Sequence, residues 1–551
     1  MSYVDALYDR AKDRIHVAER IDGQRVYREY PANYTFYYDD PRGKFRSIYG
    51  TPVSRFSTRN NKEFQKELKI NSGKRIWESD INPIFRCLAD NYLGASSPKL
   101  QTAFFDIEVD FDSERGYAPT TDPFNKITSI SVYLDWMEKM VTLVLPPKTY
   151  SWQTAEEICA KFDNCFLFDR EEDMLETFLD LIDDADILSG WNSEGFDIPY
   201  TVMRINKILS KDDTRRLCLW GQYPKQKVFE RFGAEMVTFD LVGRVHLDYM
   251  QLYRKYTYEE RHSYSLDSIG EYEDVGSKVA YEGTLDQLYN REFEKFIDYN
   301  RQDTMLLAKL DKKLRFLELA NELAHDNTVL LQTTMGAVAV TEQAIINEAH
   351  ARGMVVPNRR KSEKHSDGST DDKAAGAYVA HPKKGMHEYI GAIDLNSLYP
   401  STLRALNMGP ETIVGQLRPI MTDHYIHEKM AEKTINGKRV IGSTFADAWD
   451  GLFGSLEYQA VMNGEVGTEI TIDWEYGNST VHTADEVWRM IFEGNQPWTL
   501  SANGTIFRFD VKGIIPGLLE RWYSERKELQ KTKRQWTSLE SGIPIPNRLK
   551  S

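Results

Sequence analysis

The segment Phe104-Phe105-Asp106-Ile107-Glu108-Val109-Asp110-Phe111 alternates apolar and acidic residues from Phe105 onward. Side chains along a strand point to opposite faces in turn. The period therefore predicts a strand with Phe105, Ile107, Val109 and Phe111 on one face and Asp106, Glu108 and Asp110 on the other. A solvated strand face explains this pattern without chemistry. Three acids on one face repel, however, and call for cations or water between them.

The chain has 551 residues, which at ~100–200 residues per domain suggests three to five domains. Its composition, 41% hydrophobic and 28% charged, supplies several apolar cores. No apolar run approaches the ~20 residues of a membrane span, and the polar N-terminus predicts no signal peptide. Cys87, Cys159, Cys165 and Cys218 form no CxxC pair, which argues against structural zinc and a disulfide framework and fits a cytoplasmic setting. The formal net charge of −15 argues weakly against phosphate binding, but a local basic groove can coexist with it.

Residues 101–315 alternate apolar strands with helical stretches, an α/β pattern. The polar run from Arg359 to Lys373 reads as an exposed linker. A strand-loop-helix pattern is expected over Tyr389 to Leu406, and a charged helix over Leu518 to Trp536, after Pro516-Gly517.

Two further pieces follow along the chain. Ile187 to Tyr200 is a short apolar strand, a Gly-containing loop and a helix start, and Asp197 there is a candidate helix cap. Tyr299 and Asp303 are four apart in a predicted helix and share one face, as a surface pair also would. Together, DxE, N-x3-FD and Y-x3-D follow in order within about 200 residues. This order resembles the three motifs of the DEDDy 3′–5′ exonucleases. The resemblance implies that Asp106, Glu108, Asp197 and Asp303 ligate two Mg2+ ions and that Tyr299 orients the attacking water; Asp110 has no counterpart. Carboxylate oxygens suit hard Mg2+.

Asp394-Leu395-Asn396-Ser397-Leu398-Tyr399-Pro400-Ser401 matches D-x-x-S-L-Y-P-S, motif A of the family B DNA polymerases, at each of six fixed positions. The resemblance implies that Asp394 and the Leu395 carbonyl ligate metal. It implies that Ser397 and Leu398 contact a deoxynucleoside triphosphate, and that Tyr399 packs under the sugar, where a 2′-hydroxyl would clash. Gly376-Ala377-Tyr378-Val379 is similar to the linker motif of the same family. The late helix carries Arg526, Lys527, Lys531, Lys533 and Arg534, and Arg526 is the best match to the residue that meets the triphosphate. The next family position is Gln530 here.

Tyr49 to Val53, Asp248-Tyr249 and Ser263 to Tyr272 are similar to stretches of the polymerases of T-even-type tailed bacteriophages. The likeness extends from about residue 10 to 535. It implies a multidomain chain of α/β and α+β class: an N-terminal domain over 1–100 with 316–365 returning to it, a ribonuclease H-like 3′–5′ exonuclease domain over 101–315, a partial palm with motif A over 366–512, and the first half of the fingers over 513–551. Residues 226–239 would be a β-hairpin that parts primer from template. Motif B (K-x3-N-S-x-Y-G), motif C (D-T-D) and a thumb are not found in residues 402–551. Three readings stay open: a split or truncated replicative polymerase completed by a second polypeptide, a stand-alone exonuclease on single-stranded 3′ DNA ends, or a non-catalytic primer-template binding remnant. A sliding clamp is a further expected partner of the first.

Overall fold

A computed structural model of the chain describes residues 2–231, 234–257, 259–359, 384–395, 397–425, 434–435, 438–439, 455–475, 477–494 and 496–541. Gly376 to Val379, most of the Arg359–Lys373 segment and Asn396 lie outside these residues, as does the side chain of Arg534. The chain divides into two units. The first comprises Met1–Phe36, Phe56–Gly73 and Ile81–Asn347; the second comprises Tyr37–Arg55, Lys74–Asp80 and Glu348–Ser551. Among the described residues no helix is long and apolar enough to cross a membrane.

The first unit is built on a six-stranded sheet in the order Cys165–Leu167, Lys139–Val144, Ile127–Leu134, Thr102–Val109, Ile187–Ser189, Val245–His246. Thr102–Val109 runs antiparallel to Ile127–Leu134 and parallel to Ile187–Ser189, which is itself parallel to Val245–His246. Both faces are covered, so the acidic strand is not solvated on either side. Phe105 and Ile107 pack with Phe178 of helix Glu171–Leu181 and with Ile198, Val202 and Ile205 of helix Asp197–Ile208. Phe104, on the opposite face, packs with Leu252, Ile269, Leu306 and Leu310. The even-numbered residues Asp106 and Glu108 continue the face of Phe104. The predicted apolar face holds as far as Val109. A bulge between Glu108 and Val109 then shifts the register, and Phe111 lies beyond the strand, 38% exposed.

A three-stranded sheet, Tyr3–Asp9, Arg14–Ile21 and Gln24–Pro31, is tied to the large one by a buried ion pair. Arg20 donates through Nη2 and Nε to the two oxygens of Asp186 at 2.6 and 3.0 Å, with Arg25 adding a 3.2 Å contact. Two-pronged geometry offsets the cost of removing these charges from water. Strands Lys225–Arg231 and Ala234–Asp240 form an antiparallel hairpin in continuous register from Lys225↔Asp240 to Arg231↔Ala234, over the span expected from sequence.

The second unit carries two five-stranded sheets. One runs Met354–Val355, Phe45–Ser47, Pro52–Thr58, Tyr34–Asp39, Ile76–Trp77, apart from Tyr34–Phe36 and Phe56–Thr58, which are counted with the first unit. The other runs Ser479–Thr483, Glu469–Trp474, Ile413–Leu417, Thr505–Arg508, Trp498–Leu500 and encloses a core of Leu417, Ile470, Ile472, Val487 and Ile506. Helix Leu398–Ala405 begins where the motif predicts, but Tyr389 to Ile393 is not a strand. Apolar residues there suggested one. A strand needs a hydrogen-bonded neighbour, and among the described residues none runs beside this segment, so Tyr389, Ile390 and Ile393 stand exposed. The late helix spans Ile514–Ser541 and takes Pro516 into its first turn, where a missing N–H costs nothing.

Candidate active site

Asp106 and Glu108 stand two apart near the end of the central strand, on the face crossed by helix Phe293–Leu314. That helix brings Tyr299, Asn300 and Asp303 to them. One carboxylate oxygen from each of Asp106, Glu108 and Asp303 lies within 4.8 Å of the others. Among the described residues this is the one carboxylate group with metal-ligand spacing. Asp197 is outside that group. It is the first residue of its helix and does not cap it; its Oδ1 accepts the backbone N–H of Ile107 at 3.2 Å, tying the helix start to the acidic strand.

Burial and mutual repulsion set the electrostatics. Burial first, then Glu108, Asp197 and Asp303, hold the Asp106 carboxyl well above the usual range. Glu108 is pushed up to about 8, by burial and then by Asp303. Burial pushes Asp197 up to about 7 against the Ile107 N–H, and raises Asp303 despite its lysine partner. Four acids that resist ionisation in one place need a cation to carry charge there. Asp303 Oδ1 is buried and has no hydrogen-bond partner, and the donor set is carboxylate oxygen throughout. An orphaned acceptor in an all-oxygen cluster fits a hard divalent ion.

Two residues that the sequence reading did not single out complete the site. Asn300 is fully buried. Its Nδ2 donates to Asp106 Oδ2 at 2.8 Å and its Oδ1 accepts from Ser129 Oγ at 2.8 Å. Its position next to Tyr299 and three before Asp303 was a usable signal, since i and i+3 share a helix face. Lys278 donates to Asp303 Oδ2 and to the Tyr299 hydroxyl, the latter at 3.1 Å. It lies in a loop without periodicity, and nothing in the sequence pattern marked it. Burial works against its charge, but Asp303 and Tyr299 outweigh burial and raise its pKa. Burial and Asp303 likewise raise the Tyr299 hydroxyl. Replacing Asn300 by alanine removes the group that fixes Asp106. It is expected to weaken metal binding roughly 10–100-fold, the usual scale for a residue that orients a ligand. Calorimetric titration with Mn2+ checks this, and unchanged affinity would count against the orienting role.

The second predicted constellation is arranged differently. Asp394 and Leu395 lie in an exposed, irregular segment. Ser397, with φ 51°, precedes helix Leu398–Ala405; Leu398 and Tyr399 are 49% and 66% exposed. Arg526 is exposed on helix Ile514–Ser541. Among the described residues no further carboxylate joins Asp394 in a ligand cluster.

Residues 53–269 match the family described as DNA polymerase family B, exonuclease domain, and residues 328–445 match DNA polymerase family B. Asp106, Glu108 and Asp197 fall in the first segment and Asp394 to Tyr399 in the second; Tyr299 and Asp303 lie between the two. The chain belongs to the family B DNA polymerases. It is 26% identical to the DNA-directed DNA polymerase of Escherichia phage RB69 over 451 residues, 78% of this chain and 48% of that protein. It is 30% identical to the DNA-directed DNA polymerase of Enterobacteria phage T4 over 266 residues, 48% of this chain and 28% of that protein. A DNA polymerase of Pyrococcus glycovorans is 25% identical over 250 residues, 44% of this chain and 31% of its own length. The chain thus spans less than half the length of each of these relatives.

Proposed function

We propose that this chain is the N-terminal part of a replicative DNA-directed DNA polymerase, and that it carries a Mg2+-dependent 3′–5′ proofreading exonuclease. The observation that carries the reading is the buried cluster of Asp106, Glu108 and Asp303, with the orphaned Oδ1 of Asp303 inside it. The sheet order supports a ribonuclease H-like exonuclease domain over 101–315; an N-terminal domain over 1–100 with 316–365, a partial palm over 366–512 and the first half of the fingers over 513–551 are proposed with it.

Asp106, Glu108, Asp197 and Asp303 would hold two Mg2+ ions, which supply a water nucleophile at neutral pH and stabilise charge on attacking and leaving oxygens. The protein's own groups do the positioning. Tyr299 directs its hydroxyl at the attacking water, and Lys278, bonded to that hydroxyl and to Asp303, fixes its orientation. Asn300 keeps the Asp106 oxygen turned toward the cluster. The hairpin Lys225–Asp240 is proposed to part the primer end from the template. Removing Lys278 by substitution with alanine is expected to lower kcat for degradation roughly 10–100-fold with little change in KM, because it orients reacting groups and does not grip the DNA. A change confined to KM would contradict this.

At the second site we propose Asp394 and the Leu395 carbonyl as metal ligands, with Ser397, Leu398, Tyr399 and Arg526 facing a deoxynucleoside triphosphate. Full nucleotidyl transfer there needs another carboxylate, proposed to come with motifs B, C and a thumb on a second polypeptide. A sliding clamp is a further proposed partner of the assembled enzyme. A buried carboxylate cluster in one unit and an exposed Asp394 segment in the other favour degradation without extension for these residues alone. The test is a 5′-labelled single-stranded oligodeoxynucleotide incubated with Mg2+. Stepwise shortening from the 3′ end supports the reading, and an intact label ladder contradicts it.

A further inference from the structure

Asp197 falls outside the carboxylate group with metal-ligand spacing, so its place depends on what holds it. It begins helix Asp197–Ile208, and residues 190–196 deliver it from the end of strand Ile187–Ser189. That loop runs close against the acidic strand. A Cβ at Gly190 would stand 2.9 Å from the Phe105 carbonyl oxygen and 2.8 Å from the Ser193 Cβ, so only glycine fits. A shift of the loop is therefore felt at both ends of the Asp197 contact with Ile107.

What fastens the loop comes from one short segment, residues 246–249. Asp248 is buried. Its Oδ1 accepts the backbone N–H of Asn192 at 3.0 Å, and its Oδ2 accepts that of Glu194 at 3.2 Å. His246 Nε2 and Ser193 Oγ, both buried, are hydrogen-bonded at 2.8 Å. The N–H of Tyr249 donates to the Gly190 carbonyl at 2.9 Å. Asp248 Oδ1 also accepts the N–H of Met250 at 2.9 Å, which caps helix Tyr249–Tyr256. Capping needs one side-chain oxygen. It leaves the two bonds to the loop unexplained.

We propose that Asp248, assisted by His246, is a positioning residue for the exonuclease reaction: it fixes the loop that sets where Asp197 presents its carboxylate to a divalent ion. The inference rests on the exonuclease reading above. Asp248 acts through Asp197 and is not itself in the carboxylate group. A ligand must be held to within about 0.5 Å of its working place. A carboxylate that accepts two backbone N–H groups from one loop is a firm way to hold it.

The test separates capping from positioning in the full chain. Asp248→Ser keeps an oxygen for the helix cap but is too short to reach the loop. Asp248→Asn keeps Oδ1, and with it the bonds from Asn192 and Met250. In calorimetric titration with Mn2+, Asp248→Ser is expected to lose affinity roughly 10–100-fold, as for other residues that orient a ligand. Its kcat for 3′ shortening is expected to fall on a similar scale with little change in KM. Asp248→Asn is expected to lose no more than about fivefold, the share of the one bond to Glu194 that it gives up. In EDTA, the backbone amides of residues 190–197 are expected to exchange hydrogen faster in Asp248→Ser than in Asp248→Asn. If Asp248→Ser melts below the assay temperature, Ser193→Ala is read in its place. It leaves the cap intact, removes the His246 bond, and is expected to weaken Mn2+ binding about fivefold. A parent that binds Mn2+ and shortens DNA, with the serine variant (or its replacement) equal to it, would overturn the positioning role alone. Equal losses in Asp248→Ser and Asp248→Asn would overturn it in favour of the carboxylate's charge. A parent that neither binds Mn2+ nor shortens DNA would contradict the exonuclease reading, and this inference with it.

Discussion

Replacing Asp106 and Glu108 together with alanine is expected to slow Mg2+-dependent shortening of a single-stranded 3′ end by at least about a thousandfold, the scale of losing charge stabilisation at a reacting phosphate. The two side chains share a face with Asp303 inside 4.8 Å, so their loss leaves one oxygen donor where three converge. The fold is expected to persist, because the core contacts of the strand come from Phe104, Phe105 and Ile107, which are untouched. Gel-resolved degradation alongside a thermal melt checks both halves. A variant that degrades DNA within about tenfold of the parent would sink the carboxylate assignment, since a two-metal site cannot tolerate such a loss.

The second large effect concerns stability without metal. A carboxyl whose pKa is higher in the folded than in the unfolded chain contributes stability that is fully present below the unfolded value and is lost as pH rises through the folded value. Here the windows end at about 8 for Glu108 and about 7 for Asp197, with Asp106 and Asp303 raised in the same direction. The metal-free protein is therefore expected to lose stability between about pH 5 and pH 8, on the order of 2–4 kcal/mol. Lys278 offsets part of the repulsion at Asp303. Added Mg2+ is expected to flatten this dependence. The isosteric pair Asp106→Asn with Glu108→Gln is expected to flatten it without metal, melting several degrees above the parent at about pH 8. Parallel pH profiles for parent and variant in EDTA would show that these acids do not repel in the folded state.

The acidic strand was legible because a strand declares its faces in a period of two, and Asp106 and Glu108 fall on one of them whatever covers that face. The sequence could not say that both faces are buried. The helices over the Phe104 side come from residues 249–314, and no local pattern announces where they dock. Tyr299 and Asp303 were readable as i and i+4 partners. Asn300 needed only the next step of the same argument, whereas Lys278 reaches Asp303 from a loop whose path depends on tertiary packing. Asp197 could be read as a cap or as part of the site, and only the 3.2 Å bond from Ile107 N–H shows that it turns to the strand and not to its own helix. The apolar run at Tyr389 to Ile393 suggested a strand because side chains record period and burial, not the neighbour that a ladder requires.

The most direct measurement places the purified chain, Mg2+ and deoxynucleoside triphosphates on a primer-template with a mismatched 3′ end and follows primer length. Shortening of the primer without re-extension is expected, because the carboxylate cluster is assembled whereas no further carboxylate joins Asp394 among the described residues. Shortening followed by full extension would contradict the proposal that transfer needs a second polypeptide, and a primer of unchanged length would contradict the exonuclease itself.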